Sequence, residues 1–88
     1  LRKIVPSSQF DRDLKRIIKR GKSPKKLGLV IQKLQFGKKL GKKHRPHPLS
    51  GNWSRYMECH IESDWLLIYQ LTETELRLVR TGSHADLF

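Results

Sequence analysis

Apolar side chains recur along the chain with two different periods. Phe10, Leu14, Ile17 and Ile18 fall at i, i+4, i+7 and i+8, and Leu27, Val30, Ile31 and Leu34 at i, i+3, i+4 and i+7; each set makes one stripe on a helix. Ser7 and Ser8 are N-cap candidates for the first helix, and Gly21 stops it. Ser23 followed by Pro24 is a cap with a first-turn proline, and the second stripe runs out near Gly37. Two helices so closely spaced predict an antiparallel helical hairpin, preceded by a short strand over residues 2–6 that Pro6 ends. Beyond residue 52 the pattern predicts strands over residues 53–60, 64–71 and 75–81.

Side-chain parity sets the expected register. If Ile61-Glu62-Ser63 is a three-residue connection, His60 pairs with Asp64, Cys59 with Trp65, Met57 with Leu67 and Trp53 with Leu71. One face then carries Trp53, Met57, Cys59, Trp65, Leu67, Tyr69 and Leu71, and the other Tyr56, Glu58, His60, Asp64, Leu66, Ile68 and Gln70. A two-residue turn would scramble this segregation. The expected fold is α+β, a single domain over residues 1–88: an antiparallel sheet of about four strands, helices on its apolar face, the ionisable face open to solvent.

Gly37 to Asn52 is rich in Gly, Lys, Pro and His and reads as loop; connections of that length are usually functional or mobile. Charge is concentrated there and upstream. The formal net charge is +11, and residues 1–57 carry 17 basic side chains against Asp11 and Asp13, whereas residues 58–88 carry Arg77 and Arg80 against six acids. The run Lys38, Lys39, Lys42, Lys43 and Arg45 reads either as a solvated loop or as a phosphate-facing surface, and the overall excess favours a polyanionic ligand. Apolar runs such as Gly28 to Ile31 and Trp65 to Tyr69 are far shorter than the roughly 18 residues of a spanning helix, and no signal-peptide pattern opens the chain, whose first residue, Leu1, suggests a trimmed terminus. No membrane role is expected. A single cysteine, Cys59, forbids an internal disulfide and fits a reducing cytoplasm.

Four histidines carry the candidate chemistry, because imidazole can take and give a proton near neutrality. Metal-free RNA cleavage needs a base for the 2′-OH, an acid for the leaving 5′-oxygen and cations on the phosphate. Duller readings stand beside this one. His44 reads as a solvated loop residue, His60 as a strand-surface residue bonded to Asp64, His84 as a loop residue, Arg80 as a surface partner of Glu58 or Asp86, and Trp65 as core. Phe88 is either a frayed end or a base-stacking ring. Zinc on His44, His47, Cys59 and His60 fails because Cys59 and His60 are consecutive strand residues on opposite faces; a Cys59 nucleophile fails because it points into the core. No cofactor is expected.

Three ordered strings, His47-Pro48-Leu49-Ser50-Gly51-Asn52-Trp53, His60 through Tyr69 and Arg80 through Phe88, together resemble the YafQ-type branch of the RelE/ParE toxins. The resemblance implies a βααβββ, RelE-like fold and a cytoplasmic type II toxin that enters the ribosomal A site and cuts mRNA by metal-independent 2′-OH attack. By the same resemblance the catalytic positions are His47, His60, Asp64 and His84, Phe88 places the nucleotide, and Arg80 steadies the phosphate; the loop lysines are expected to join it there on the strength of their charge. The implied partners are an acidic antitoxin segment wrapping the basic surface, mRNA and the ribosome, and operator DNA only through the antitoxin complex. Ser63, where the family often has Pro, and the very basic loop depart from the pattern. Two other readings remain: a gyrase-inhibiting toxin of the ParE kind, to which the histidines are superfluous, and a nonenzymatic RNA-binding module acting through charge alone.

Overall fold

The Ser7 hydroxyl accepts the Phe10 backbone N–H at 2.9 Å, satisfying one of the donors that a helix start leaves free, and α1 follows over Ser8–Lys19. Ser23 makes no such bond; Pro24, with its φ already near the helical value, opens α2, Pro24–Gln35. The computed structural model describes residues Leu1–Phe88. The remaining elements are β1 (Lys3–Pro6), β2 (His47–Pro48), β3 (Met57–Glu62), β4 (Trp65–Leu71), β5 (Glu75–Gly82) and α3 (His84–Leu87), with 3-10 turns at Lys42–His44 and Gly51–Trp53. No helix is long and apolar enough to cross a membrane.

The sheet has five strands in the order β1-β5-β4-β3-β2, not about four. It is mixed: β1 lies parallel to β5, because the chain leaves β1 through two helices rather than through a hairpin, while β2, β3, β4 and β5 pair antiparallel. The extra strand comes from the segment read as loop, where His47 pairs with Glu58 and Pro48 with Met57. Pro48 has no N–H to give, which suits a two-residue strand at a sheet edge.

The register of β3 and β4 also differs. Cys59 lies opposite Leu67, His60 opposite Leu66, and the connection is the two-residue turn Ser63-Asp64. A bulge between His60 and Glu62 absorbs the parity change that such a turn would otherwise impose. Most side chains therefore keep the faces expected of them, but His60 and Asp64 are not a cross-strand pair. The helix-covered face holds Cys59, Trp65, Leu67, Tyr69, Leu76 and Leu78, packed with Phe10, Ile17, Leu27, Val30 and Leu34. Each such burial is worth about 1.5–3 kcal/mol for a large side chain. Ile18, at the margin of its stripe, remains 46% exposed.

The second face is not open. Leu66 and Ile68 are fully buried there beneath Leu49, Trp53, Tyr56 and Leu87. Trp53 belongs to this cover rather than to the helix side, because a 3-10 turn replaces the first residues of the expected strand. α3, unforeseen in the C-terminal tail, is capped reciprocally: Ser83 Oγ accepts the Asp86 N–H at 3.2 Å, and Asp86 Oδ2 accepts the Ser83 N–H at 2.9 Å. Only glycine fits at position 82, where an added Cβ would stand 2.9 Å from the Asp86 carboxylate.

Asp13 is completely buried in α1 and ties that helix to β5. Its carboxylate accepts two bonds from Arg80 at 2.9 Å, the Thr81 N–H at 3.2 Å, Gln9 at 3.0 Å and Arg16 at 3.3 Å. Burial alone would raise its pKa, but the Arg80, Gln9 and Thr81 hydrogen bonds outweigh that and hold it below the usual carboxylate value. A depressed folded-state pKa gives stability that is complete above the ordinary value of 3.8 and lost as pH falls through the lower folded value. Asp13→Ala should cost about 3 kcal/mol, since it strands the guanidinium of Arg80, and Asp13→Asn should flatten the acid limb of stability; urea titrations across acidic pH check both, and an unchanged midpoint would contradict this role.

Candidate active site

Three imidazoles distant in sequence meet at the end of the sheet where β2, β3 and the start of α3 come together. His47 stands on β2 opposite Glu58, and its Nε2 lies 3.1 Å from Glu58 Oε1. Glu58 and His60, two apart on β3, share a face by strand parity. His47, Glu58 and His60 each offer an N or O atom, all within 4.8 Å of one another. His84 opens α3, and its ring centroid is 6.1 Å from that of His60.

Asp64 sits in the β3–β4 turn and takes hold of His84 twice. Its Oδ1 accepts the His84 backbone N–H at 2.9 Å and lies 2.7 Å from His84 Nδ1. The backbone bond and then the side-chain bond from His84 keep the Asp64 carboxyl below its ordinary range. A carboxylate on Nδ1–H fixes the tautomer and leaves Nε2 free for proton exchange. The partner of Asp64 is thus His84, not the expected His60. His60 Nδ1 faces the Ser63 carbonyl at 3.2 Å and Arg45 Nη2 at 3.3 Å; with Nδ1 protonated it donates to Ser63, and without the proton it accepts from Arg45.

Lys38, Lys39, Lys42, Lys43 and Arg45 are exposed, and Arg45, in a left-handed conformation, alone reaches the histidines. Phe88 is 60% exposed and meets Trp53 edge to face at 6.2 Å between centroids. Arg80 pairs with buried Asp13 rather than with Glu58 or Asp86. Its Nε and Nη2 are engaged there. His44 is not solvated: it is buried and donates from Nδ1 to the His60 carbonyl at 2.7 Å, supporting that residue from behind.

Glu58 is the site residue that sequence reasoning did not single out. The signal was its alternation with His60 on one strand face, and its burial beneath His47 follows from the short strand β2. Glu58 also changes the ion-binding question. The group of ligand size is His47, Glu58 and His60, on one face, and not a set containing Cys59. Cys59 is fully buried, and burial together with the charge of Glu58 pushes its thiol up to about 12, where a thiolate nucleophile is not formed near neutrality.

A mixed sheet with two N-terminal helices on one face, and an acid–imidazole cluster at one end, defines the RelE-like toxin class. A family model described as "Bacterial toxin of type II toxin-antitoxin system, YafQ" matches residues 2–88. The chain is 42% identical to the mRNA interferase toxin YafQ of Escherichia coli strain K12, over 99% of this chain and 96% of that one. Among solved structures it is similar to the toxin in the E. coli DinJ–YafQ toxin–antitoxin complex, with TM-score 0.91, 42% identity, and 99% and 97% of the two chains covered. A metal-bound toxin from Helicobacter pylori aligns with TM-score 0.94 and 41% identity over the full length of both chains. The chain belongs to the YafQ family of type II toxin–antitoxin toxins.

Iodoacetamide should leave the native protein unlabelled near neutral pH and alkylate Cys59 fully in denaturant, as mass spectrometry would record. Rapid native labelling would contradict the placement of Cys59 in the core.

Proposed function

We propose that this toxin is an mRNA interferase, a metal-independent endoribonuclease that cuts message in the ribosomal A site. The observation that carries the reading is the meeting of His47, His60 and His84 at one end of the sheet, with Asp64 orienting His84. The names of its relatives support it: E. coli YafQ is an mRNA interferase toxin, and YafQ is held by the antitoxin DinJ in a solved complex. Its partners are accordingly mRNA, the ribosome and an acidic antitoxin, with operator DNA reached only through the antitoxin complex, and its compartment is the cytoplasm.

In the step proposed, a base in the His47–Glu58–His60 group takes the proton of a 2′-OH. The 2′-oxygen attacks the adjacent phosphorus, the bond to the 5′-oxygen breaks, and an imidazole donates the proton that the leaving oxygen needs. The products are a 2′,3′-cyclic phosphate and a 5′-hydroxyl. His84, with Nδ1 bonded to Asp64 and Nε2 free, is suited to the acid role. Arg80 through Nη1, Arg45 and the loop lysines Lys38, Lys39, Lys42 and Lys43 neutralise the phosphate. Phe88, exposed against Trp53, provides a ring on which a base stacks. A cation on His47, Glu58 and His60 would occupy the lone pairs that this chemistry uses for protons, so the proposed reaction proceeds without one.

His84→Ala should lower cleavage about 10²- to 10⁴-fold, the span for loss of a general acid or base, with thermal unfolding unchanged because the side chain is exposed. The assay is end-mapping of message on translating ribosomes; wild-type rates in the folded variant would refute the assignment. Glu58→Gln should lower cleavage roughly 10-fold or more by releasing His47. Intact message with wild-type toxin, alongside stalled gyrase or salt-sensitive RNA binding alone, would refute the nuclease reading altogether.

A further inference from the structure

His84 and Asp64 meet in the open. Both side chains are exposed, and the 2.7 Å contact between them joins two short pieces of chain, the turn after β3 and the single turn of α3. One helical turn does not hold itself in water, because it fixes several backbone angles for one hydrogen bond. Of the four residues of α3 only Leu87 is buried. Local structure and packing therefore leave the imidazole and the carboxylate poorly fixed, and the alignment has to come from elsewhere.

Both pieces are tied to the corner between α1 and α2. Arg20, the cap residue at the C-terminal end of α1, lays its guanidinium against the Asp86 carboxylate in two bonds, Nη1 to Oδ2 at 2.6 Å and Nη2 to Oδ1 at 3.0 Å. Fork-to-fork pairing of this kind fixes direction as well as distance. Arg16, one turn earlier, reaches Asp86 Oδ1 at 3.5 Å. Asp86 also accepts the Ser83 N–H at 2.9 Å, so the carboxylate that Arg20 grips is the one that caps α3 immediately before His84. On the other side, Lys22 and Lys26 each bond Glu62 at 2.7 Å, and Glu62 stands two residues before Asp64. The two partners of the His84–Asp64 bond thus take their places from one rigid corner.

We propose that Arg20 is a positioning residue for RNA cleavage: through Asp86 it sets the angle at which α3 presents His84 to Asp64. The inference rests on the reading of His84 as a proton donor in a nuclease, and it adds what holds that donor in line. Phe88 is carried with it, since its N–H is bonded to the His84 carbonyl at 2.9 Å. A direct role for Arg20 on the RNA is disfavoured by its geometry, because Nη1 and Nη2 are both engaged and a phosphate would have to displace a carboxylate from the fork. An exposed ion pair adds little to global stability. A displacement of about 1 Å in a reacting group, by contrast, costs up to about 10²-fold in rate.

Arg20→Gln should lower cleavage about 10- to 10²-fold while RNA affinity and the unfolding midpoint stay close to wild type. Arg20→Lys, which keeps the charge but not the fork, should restore part of the rate. The His84 Nδ1–H proton, which lies downfield in NMR spectra while Asp64 holds it, should broaden or move upfield in Arg20→Gln. Asp86→Asn keeps an oxygen for the Ser83 N–H but loses the charge, and in that background Arg20→Gln should lower the rate no further. Additive losses in the double variant, with weaker RNA binding and a shallower salt dependence, would mean that Arg20 touches the phosphate itself and would overturn the proposal. So would a wild-type rate and an unmoved Nδ1–H signal in Arg20→Gln. A moved signal in a toxin whose wild-type form does not cut RNA would instead count against the nuclease reading.

Discussion

The buried carboxylate of Asp13 is the constraint on which this structure depends. A charge with no solvent contact persists only when its lone pairs are filled, and here they are filled from both layers: Gln9 and Arg16 on α1, Arg80 and the Thr81 backbone on β5. Thr81 extends the link, its hydroxyl accepting from Trp65 Nε1 at 2.9 Å and donating to the Leu66 carbonyl at 2.7 Å. No buried side-chain polar atom is left without a partner. The C-terminal end of β5 is thereby fixed just before Gly82, Ser83 and His84, so a helix–sheet ion pair sets where one imidazole stands.

The same logic of opposite charges places the other groups. The acids of the C-terminal third are largely used inside the molecule: Asp64 on His84, Glu62 on Lys22 and Lys26, Asp86 on Arg20 at 2.6 Å. The Arg20 bond, followed by the Ser83 N–H, holds the Asp86 carboxyl far below its ordinary value. Consumed in this way, the acids counter few of the surplus cations, and the loop lysines and Arg45 stay exposed, Arg45 reaching His60. Under the proposed reading, Arg45 beside His60 brings a cation to the proton-transfer groups, which is what attack on a polyanion requires.

Both main helices were legible because their signals are local: a serine cap, a proline in the first turn, an apolar stripe. The faces of β3 and β4 were legible for a subtler reason, since the bulge near Ile61 cancels the turn's change of parity. What escaped was non-local. β2 is a strand only because β3 offers it an edge, and nothing in His47-Pro48 marks it as one. His44 looks like any residue of a lysine-rich loop until the His60 carbonyl is placed beside it. The ion-pair partner of Arg80 was sought among Glu58 and Asp86, for the actual one, Asp13, lies 67 positions away. The histidines and Asp64 were named from motif order, whereas the pairing of Asp64 with His84 and the part taken by Glu58 needed the fold.

His47, His60 and His84 are proposed to serve one phosphodiester. Imidazole resonances followed by NMR during titration with an RNA oligonucleotide that carries a single 2′-deoxy block test it most directly, because the substrate is held uncut. The account predicts that all three rings shift along one isotherm with a common dissociation constant. Saturation of the protein with only one ring perturbed, the other two unmoved, would contradict it.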